Sequence, residues 1–268
     1  MSTVLIGLVL GLALQMAKGF VTHPLDVQGL HKSVYRRRTT SMRFFSNQKL
    51  FSKTQNENLF DFLVVSPTFF VLNTVADLLR ITGESSGGPR ELALMSLLAE
   101  CNAIQPNGLG ATASQRSSIR TLVSTLESFN PTPRPALRSD LQEGVWRLLY
   151  TDLTPQAASS GKLGPFIGSV MQRLEPSRSR IENILDIETV GIRGVLSANQ
   201  SVLDDSTWQI VFDRLKITLF GLTVFDRPFP RKEIRNWRCV FLTESIRIIR
   251  AKRADARDEG SIFVMLKK

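Results

Sequence analysis

Past residue 139 the apolar residues of this 268-residue chain alternate with polar ones, and no helix-length pattern interrupts them before the end. "GVWRLLYTD" sets Trp146, Leu148 and Tyr150 on one face of a strand and Arg147 on the other, because successive strand side chains point to opposite sides. "TWQIVFDRL" does the same with Trp208, Ile210 and Phe212 against Gln209, Val211 and Asp213. "SRIENILDIE", "VGIRGVLSANQSV", "KITLF", "WRCVFLT", "SIRIIRAK" and "SIFVMLKK" bring the candidates to about eight. Strands with no helix between them connect antiparallel, so the pattern predicts a mainly β fold with a closed or nearly closed sheet. An eight-stranded barrel is either filled by its own side chains or hollow enough for one small ligand. The alternation is the same in both cases, so both stay open.

Upstream the period is helical. "RELALMSLLAECNA" places Leu92, Met95, Leu98 and Ala99 on one stripe, and "SSIRTLVSTLESFNP" places Ile119, Leu122, Val123 and Leu126 on another. Between them "GLGATA" matches a dinucleotide fingerprint in form only. That motif needs a preceding strand, and here a helix and "QPN" precede it, so it reads as a turn. "NPTPRPALR" is a proline-rich passage into the strands. Further upstream, "ESSGGPR" is a linker, and the apolar stretch Leu59 to Ile81 is broken by Asp61, Pro67, Asn73 and Asp77. Those breaks argue against a transmembrane helix. A helix packed on the domain and a membrane-surface anchor both remain open for it.

The chain opens with an apolar run from Val4 to Met16, ending at the small residues Ala17 and Gly19 before Phe20. That is the length of a secretory signal core, and the Arg/Ser/Thr-rich, acid-poor segment behind it has transit-peptide composition. The boundaries expected are a signal at 1–19, a transit segment at 20–53, an apolar helix and linker at 54–83, and the main domain at 84–268. Within that domain, helices are expected over 91–129 and the barrel over 140–268. A secreted protein with a basic pro-segment is the alternative, and only there would Asn199-Gln200-Ser201 matter as a glycosylation acceptor.

Residues 1–53 carry +7 of the net charge of +10, which leaves +3 on the remainder. Nothing in a domain so near neutrality draws it to phosphate backbones, so nucleic acid is not an expected partner. Both histidines, His23 and His31, lie in that first segment. The rest of the chain has no Ser-His-Asp or Cys-His arrangement, no histidine metal site and no G-x-S-x-G. Asp204-Asp205 and the pair Asp186 and Glu188 read as turn and solvent-face acids. Cys101 and Cys239, the only cysteines, read as buried free thiols, with a single bridge between them as the alternative. No enzyme, catalytic residue, metal or cofactor is expected.

"LQEGVWRLLYTD", "GPFIGSVMQRLEP", "WQIVF" and the closing "FLTESIRIIR…GSIFVMLKK", preceded by "LESFNPTPRP", resemble the plastid lipid-associated protein family, the fibrillins. The resemblance runs from about Glu91 to the end with motifs in the family's order. It implies a lipocalin-like antiparallel barrel of about eight strands behind an N-terminal helical region. It also implies a plastid location reached through the two-part presequence, at thylakoid or plastoglobule surfaces. Apolar lipids are the implied partners: carotenoids, prenylquinones or acyl lipids. A prenylquinone-pathway enzyme on which the protein docks, or less simply a lipid-metabolising activity, are the rival roles.

By the same resemblance, Gly144-Val145-Trp146 is similar to the Gly-x-Trp that opens a lipocalin barrel, with Arg247 laid over the indole to close one end. Leu148, Tyr150, Trp208, Ile210, Phe212 and Phe263 are the expected inward-facing lipid contacts. Phe166 and Ile167, inside "GPFIG", are expected either in a rim loop that dips into lipid or in a buried turn. Two departures stand out. Thr243 occupies a place where the family usually has Asp, and "AKRADARDEG" lengthens the last hairpin, reading as a solvated loop.

Overall fold

The computed structural model describes residues 88–104, 106–153 and 158–268; the presequence and the apolar helix expected before residue 84 lie outside the described residues. Helix α1, Pro89–Ala103, begins on a proline, whose missing N–H is no loss in a first turn. It buries Ala93, Leu94, Leu97, Leu98 and Cys101 and leaves Leu92 and Met95 in solvent. The buried face is thus rotated from the expected stripe. Apolar residues surround this helix on most sides, and spacing alone then selects no unique face.

Helix α2, Ala113–Ser128, starts with a capping box in which Thr112 and Gln115 exchange side chain to backbone hydrogen bonds. It buries Ile119, Val123 and Leu126. "GLGATA" is the turn between the two helices. Gly108 sits there at φ +84°, and an added Cβ would lie 2.6 Å from the Tyr150 ring.

A 3-10 turn at Pro135–Leu137 and a short helix α3, Ser139–Gln142, lead into the strands. These are β1 (Gly144–Thr151), β2 (Lys162–Leu163), β3 (Phe166–Ile167), β4 (Ser169–Glu175) and β5 (Arg180–Ile187). β6 (Ile192–Val202), β7 (Thr207–Leu219), β8 (Leu222–Leu242), β9 (Ile246–Arg253) and β10 (Ser261–Lys267) follow. β2 and β3 pair only with each other. The other eight close a barrel in the order β1-β10-β9-β8-β7-β6-β5-β4, every pair antiparallel.

The eight strands are not the eight segments read from the sequence. "TWQIVFDRL" and "KITLF" are one strand, β7, whose alternation is reset at Asp213 by a bulge. "SVMQRLE", hidden behind glycines and a proline, supplies the missing strand β4. "WRCVFLT" is only the end of the 21-residue β8.

Strand directions give the barrel two unlike ends. The turns β4–β5, β6–β7 and β8–β9 and the 3-10 turn lie at one, the floor. The turns β5–β6, β7–β8 and β9–β10 lie at the other, the mouth. The wall is taller on one side. β9 stops opposite Arg235, so among the described residues no strand pairs with the other edge of β8 over Leu222–Pro228, which pairs with β7. Pro228 falls in this free edge, where a residue without an N–H is tolerated and discourages pairing with another chain.

Two apolar cores share one sheet. The barrel interior holds Trp146, Leu148, Leu174, Leu196, Trp208 and Ile210 among others. The second core lies outside it, where α1 and α2 cover Tyr150, Phe241, Ile246, Ile248, Ile262 and Val264. That is why β9 is buried on both faces along Ile246–Arg250.

Candidate functional site

The floor is built first, by the segment that precedes the barrel. Trp146 Nε1 donates to the Gln142 carbonyl at 2.8 Å, and Trp208 Nε1 donates to the Ala136 carbonyl at 3.0 Å. Both indoles therefore seal the end of the barrel against its own lead-in helices. Arg247, fully buried, lies with its guanidinium carbon 5.4 Å from the Trp146 ring centre, and Lys267 Nζ approaches the same ring at 5.3 Å. Arg247 donates to Gln142 Oε1, Gln172 Oε1 and Met265 Sδ, with no carboxylate bonded to it among the described residues, and burial pulls its pKa down to about 10. Gly144 begins β1 at φ +123°, a conformation that side chains resist.

Thr243 sits in the β8–β9 turn beside this floor. Its Oγ1 accepts from the backbone N–H of Ser245 at 3.3 Å and of Ile246 at 3.0 Å. A carboxylate oxygen would accept from the same two N–H groups and lose only the long donation from the Thr243 hydroxyl to the Ile246 carbonyl, 3.4 Å. Thr243→Asp is expected to leave the urea midpoint unchanged, whereas Thr243→Ala costs about 1 kcal/mol.

Above the floor a pocket reaches into the barrel from its mouth end. A cavity of about 530 Å³ is walled by Val170, Phe212, Trp237, Ala251, Phe263 and Met265, with Gln172, Asn183 and Arg235 as polar points. Leu153, Ser159 and, from the β9–β10 loop, Ala256, Asp258, Glu259 and Gly260 also line it. The insertion read as a solvated loop thus forms one side of the mouth. Arg250 pins it, donating to Glu259 Oε2 and to Ser124 of α2, each at 3.1 Å.

Of the six expected lipid contacts, the structure puts Phe212 and Phe263 on the cavity wall. Leu148, Trp208 and Ile210 face inward but are packed in the solid lower part of the barrel. Tyr150 does not face inward, contrary to the alternation. Leu148 pairs with Met265 and Tyr150 with Val264, which leaves Leu149 as the extra residue of a bulge. The slip turns the phenol outward into the helical core, where it packs on Gly108. Its hydroxyl has no partner among the described residues, and burial raises its pKa. Tyr150→Phe is therefore expected to change stability by less than about 0.5 kcal/mol and ligand binding not at all, read by thermal melts and probe titration.

Phe166 and Ile167 form the small β3 strand at the mouth, Phe166 partly buried against the interior and Ile167 44% exposed. More prominent is the β7–β8 tip, with Phe220 75% and Leu222 70% exposed above the mouth. "KITLFGLTVF" carried this signal as two large apolar residues around a glycine. The exposed cations Lys216 and Arg227 stand on the same hairpin.

Cys101 and Cys239 are buried free thiols, and burial pushes Cys239 up to about 11. No cluster of three or more metal-ligating side chains occurs among the described residues, and no helix among them is long and apolar enough to cross a membrane. The geometry is that of a container with one sealed end. No match was found among the curated proteins or the solved structures. The PAP_fibrillin family model matches residues 92–254, from the first turn of α1 to the β9–β10 loop. With helices, plugged floor and barrel pocket all inside or beside that span, the chain belongs to the PAP_fibrillin family, the plastid lipid-associated proteins.

Proposed function

We propose that this protein binds and organises apolar lipids without catalysis, at thylakoid or plastoglobule surfaces within the plastid. The carrying observation is the cavity of about 530 Å³ above a sealed floor. That volume falls within the roughly 300–1,000 Å³ typical of small-molecule sites. Polar and charged side chains such as Lys252, Arg253, Asp258 and Glu259 line part of it, and its deeper wall is aromatic and aliphatic, at Val170, Phe212, Trp237, Phe263 and Met265. Each methylene of an acyl, prenyl or carotenoid chain placed there gains about 0.8 kcal/mol, so few polar contacts are needed.

The mouth supports the surface part of the reading. Phe220, Leu222 and Ile167 offer apolar side chains to a lipid layer at the end through which a ligand passes, and Lys216 and Arg227 suit anionic headgroups. Flotation with vesicles made from plastid lipids tests it. The wild-type protein is expected in the floating fraction, and Phe220→Ser/Leu222→Ser is expected to remain largely in the soluble fraction with an unchanged melt. Equal flotation of both proteins would remove the hairpin from the account.

A further inference from the structure

The cavity wall holds polar atoms that the fold itself leaves without partners. Arg235 projects inward from β8 beside Trp237 and is only 13% exposed at its side chain. Its Nη1 is shielded from solvent and has no hydrogen-bond partner among the described residues. Asn183, on the opposite arc of the barrel and 7% exposed, likewise has an unpartnered Oδ1. The third polar point, Gln172, is already engaged by Arg247. A buried donor without an acceptor costs free energy that a bound oxygen would recover.

The charge around Arg235 narrows what that oxygen belongs to. Glu233 Oε2 lies 3.7 Å from Arg235 Nη2, and Arg253, its register partner on β9, is held by Asp255 at 2.8 and 3.0 Å. Each cation thus has its own carboxylate, and the group is formally neutral. A ligand carboxylate would add an uncompensated negative charge beside Glu233 in a poorly hydrated site, whereas an uncharged acceptor adds none.

We infer that the cavity selects an uncharged amphiphile, an apolar chain whose carbonyl or hydroxyl oxygen accepts a hydrogen bond from Arg235 Nη1. Asn183 supplies a second polar contact for a head bearing another oxygen. The inference rests on the lipid-binding reading of the barrel and adds the chemistry of the head to it.

Three ten-carbon probes differing only at the head test it by tryptophan fluorescence of the full-length protein: 1-decene, decan-2-one and ionised decanoate. Decan-2-one is expected to bind at least about tenfold more tightly than 1-decene, the worth of one hydrogen bond to a charged donor, and decanoate no more tightly than the ketone. In Glu233→Gln/Arg235→Met, which removes both charges together, 1-decene binding is expected to persist while the ketone preference disappears. The infrared carbonyl stretch of decan-2-one bound to wild-type protein is expected below its position in hydrocarbon, a readout independent of the variant's folding. An unshifted stretch, a preference that survives the double substitution, or tightest binding of decanoate would each overturn the inference while leaving the cavity as a chain site. Failure of all three probes to bind would overturn the lipid-binding reading and this inference with it.

Discussion

Trp146→Ala is expected to lower stability by about 3–5 kcal/mol, the range for emptying a buried large aromatic site. For a domain of this size that is a fall in Tm of roughly 10 °C or more. The indole is fully buried and is the one surface against which the buried Arg247 guanidinium and the Lys267 ammonium both lie. Its loss removes packing volume, the hydrogen bond to Gln142 and the aromatic face that compensates a buried cation. Trp146→Phe keeps a ring and loses the N–H, so it is expected to recover more than half of that cost. Circular-dichroism melts of the two variants measure the difference. A loss below about 1 kcal/mol for the alanine variant would mean that the floor is held mainly by Trp208 and the lead-in helices.

Ala251→Trp is expected to abolish binding of chain-like ligands while sparing the fold. Ala251 lies on the cavity wall in register with Trp237 on one side and Ser261 on the other. An indole grown from it projects into space that is open, so it displaces ligand and not packed side chains, and the overpacking penalty is avoided. Excluding even four methylenes from burial costs about 3 kcal/mol, a loss of more than about a hundredfold in affinity. Titration with a fluorescent fatty alcohol, alongside a thermal melt, separates lost binding from lost structure. Retained affinity in a folded Ala251→Trp would place the ligand elsewhere on the molecule.

The change from helical to alternating period near residue 139 was enough to read a closed antiparallel barrel behind helices, because that periodicity follows directly from backbone geometry. What escaped is what periodicity cannot carry. A bulge reverses every side chain beyond it, so Leu149 sent Tyr150 to the wrong face, and Asp213 cut one strand into two apparent ones.

No strand candidate covers "FDRPFPRKEIR", yet it belongs to β8, with Pro228 at the free edge and Arg235 pointing inward. Only pairing across the closed ring shows this. The division between a packed lower barrel and an open upper one was invisible for a different reason. Trp208 and Phe212 share one face of one strand, but the lead-in segment fills the space beside Trp208 and nothing in the strand pattern announces that.

The central claim is that the pocket in this barrel holds one apolar lipid molecule. Native mass spectrometry answers it directly, after the full-length protein has been incubated with a plastid lipid extract and repurified. One lipid mass per wild-type chain, missing from Ala251→Trp, is the expected result. A bare wild-type chain, or the same adduct on both proteins, would contradict it.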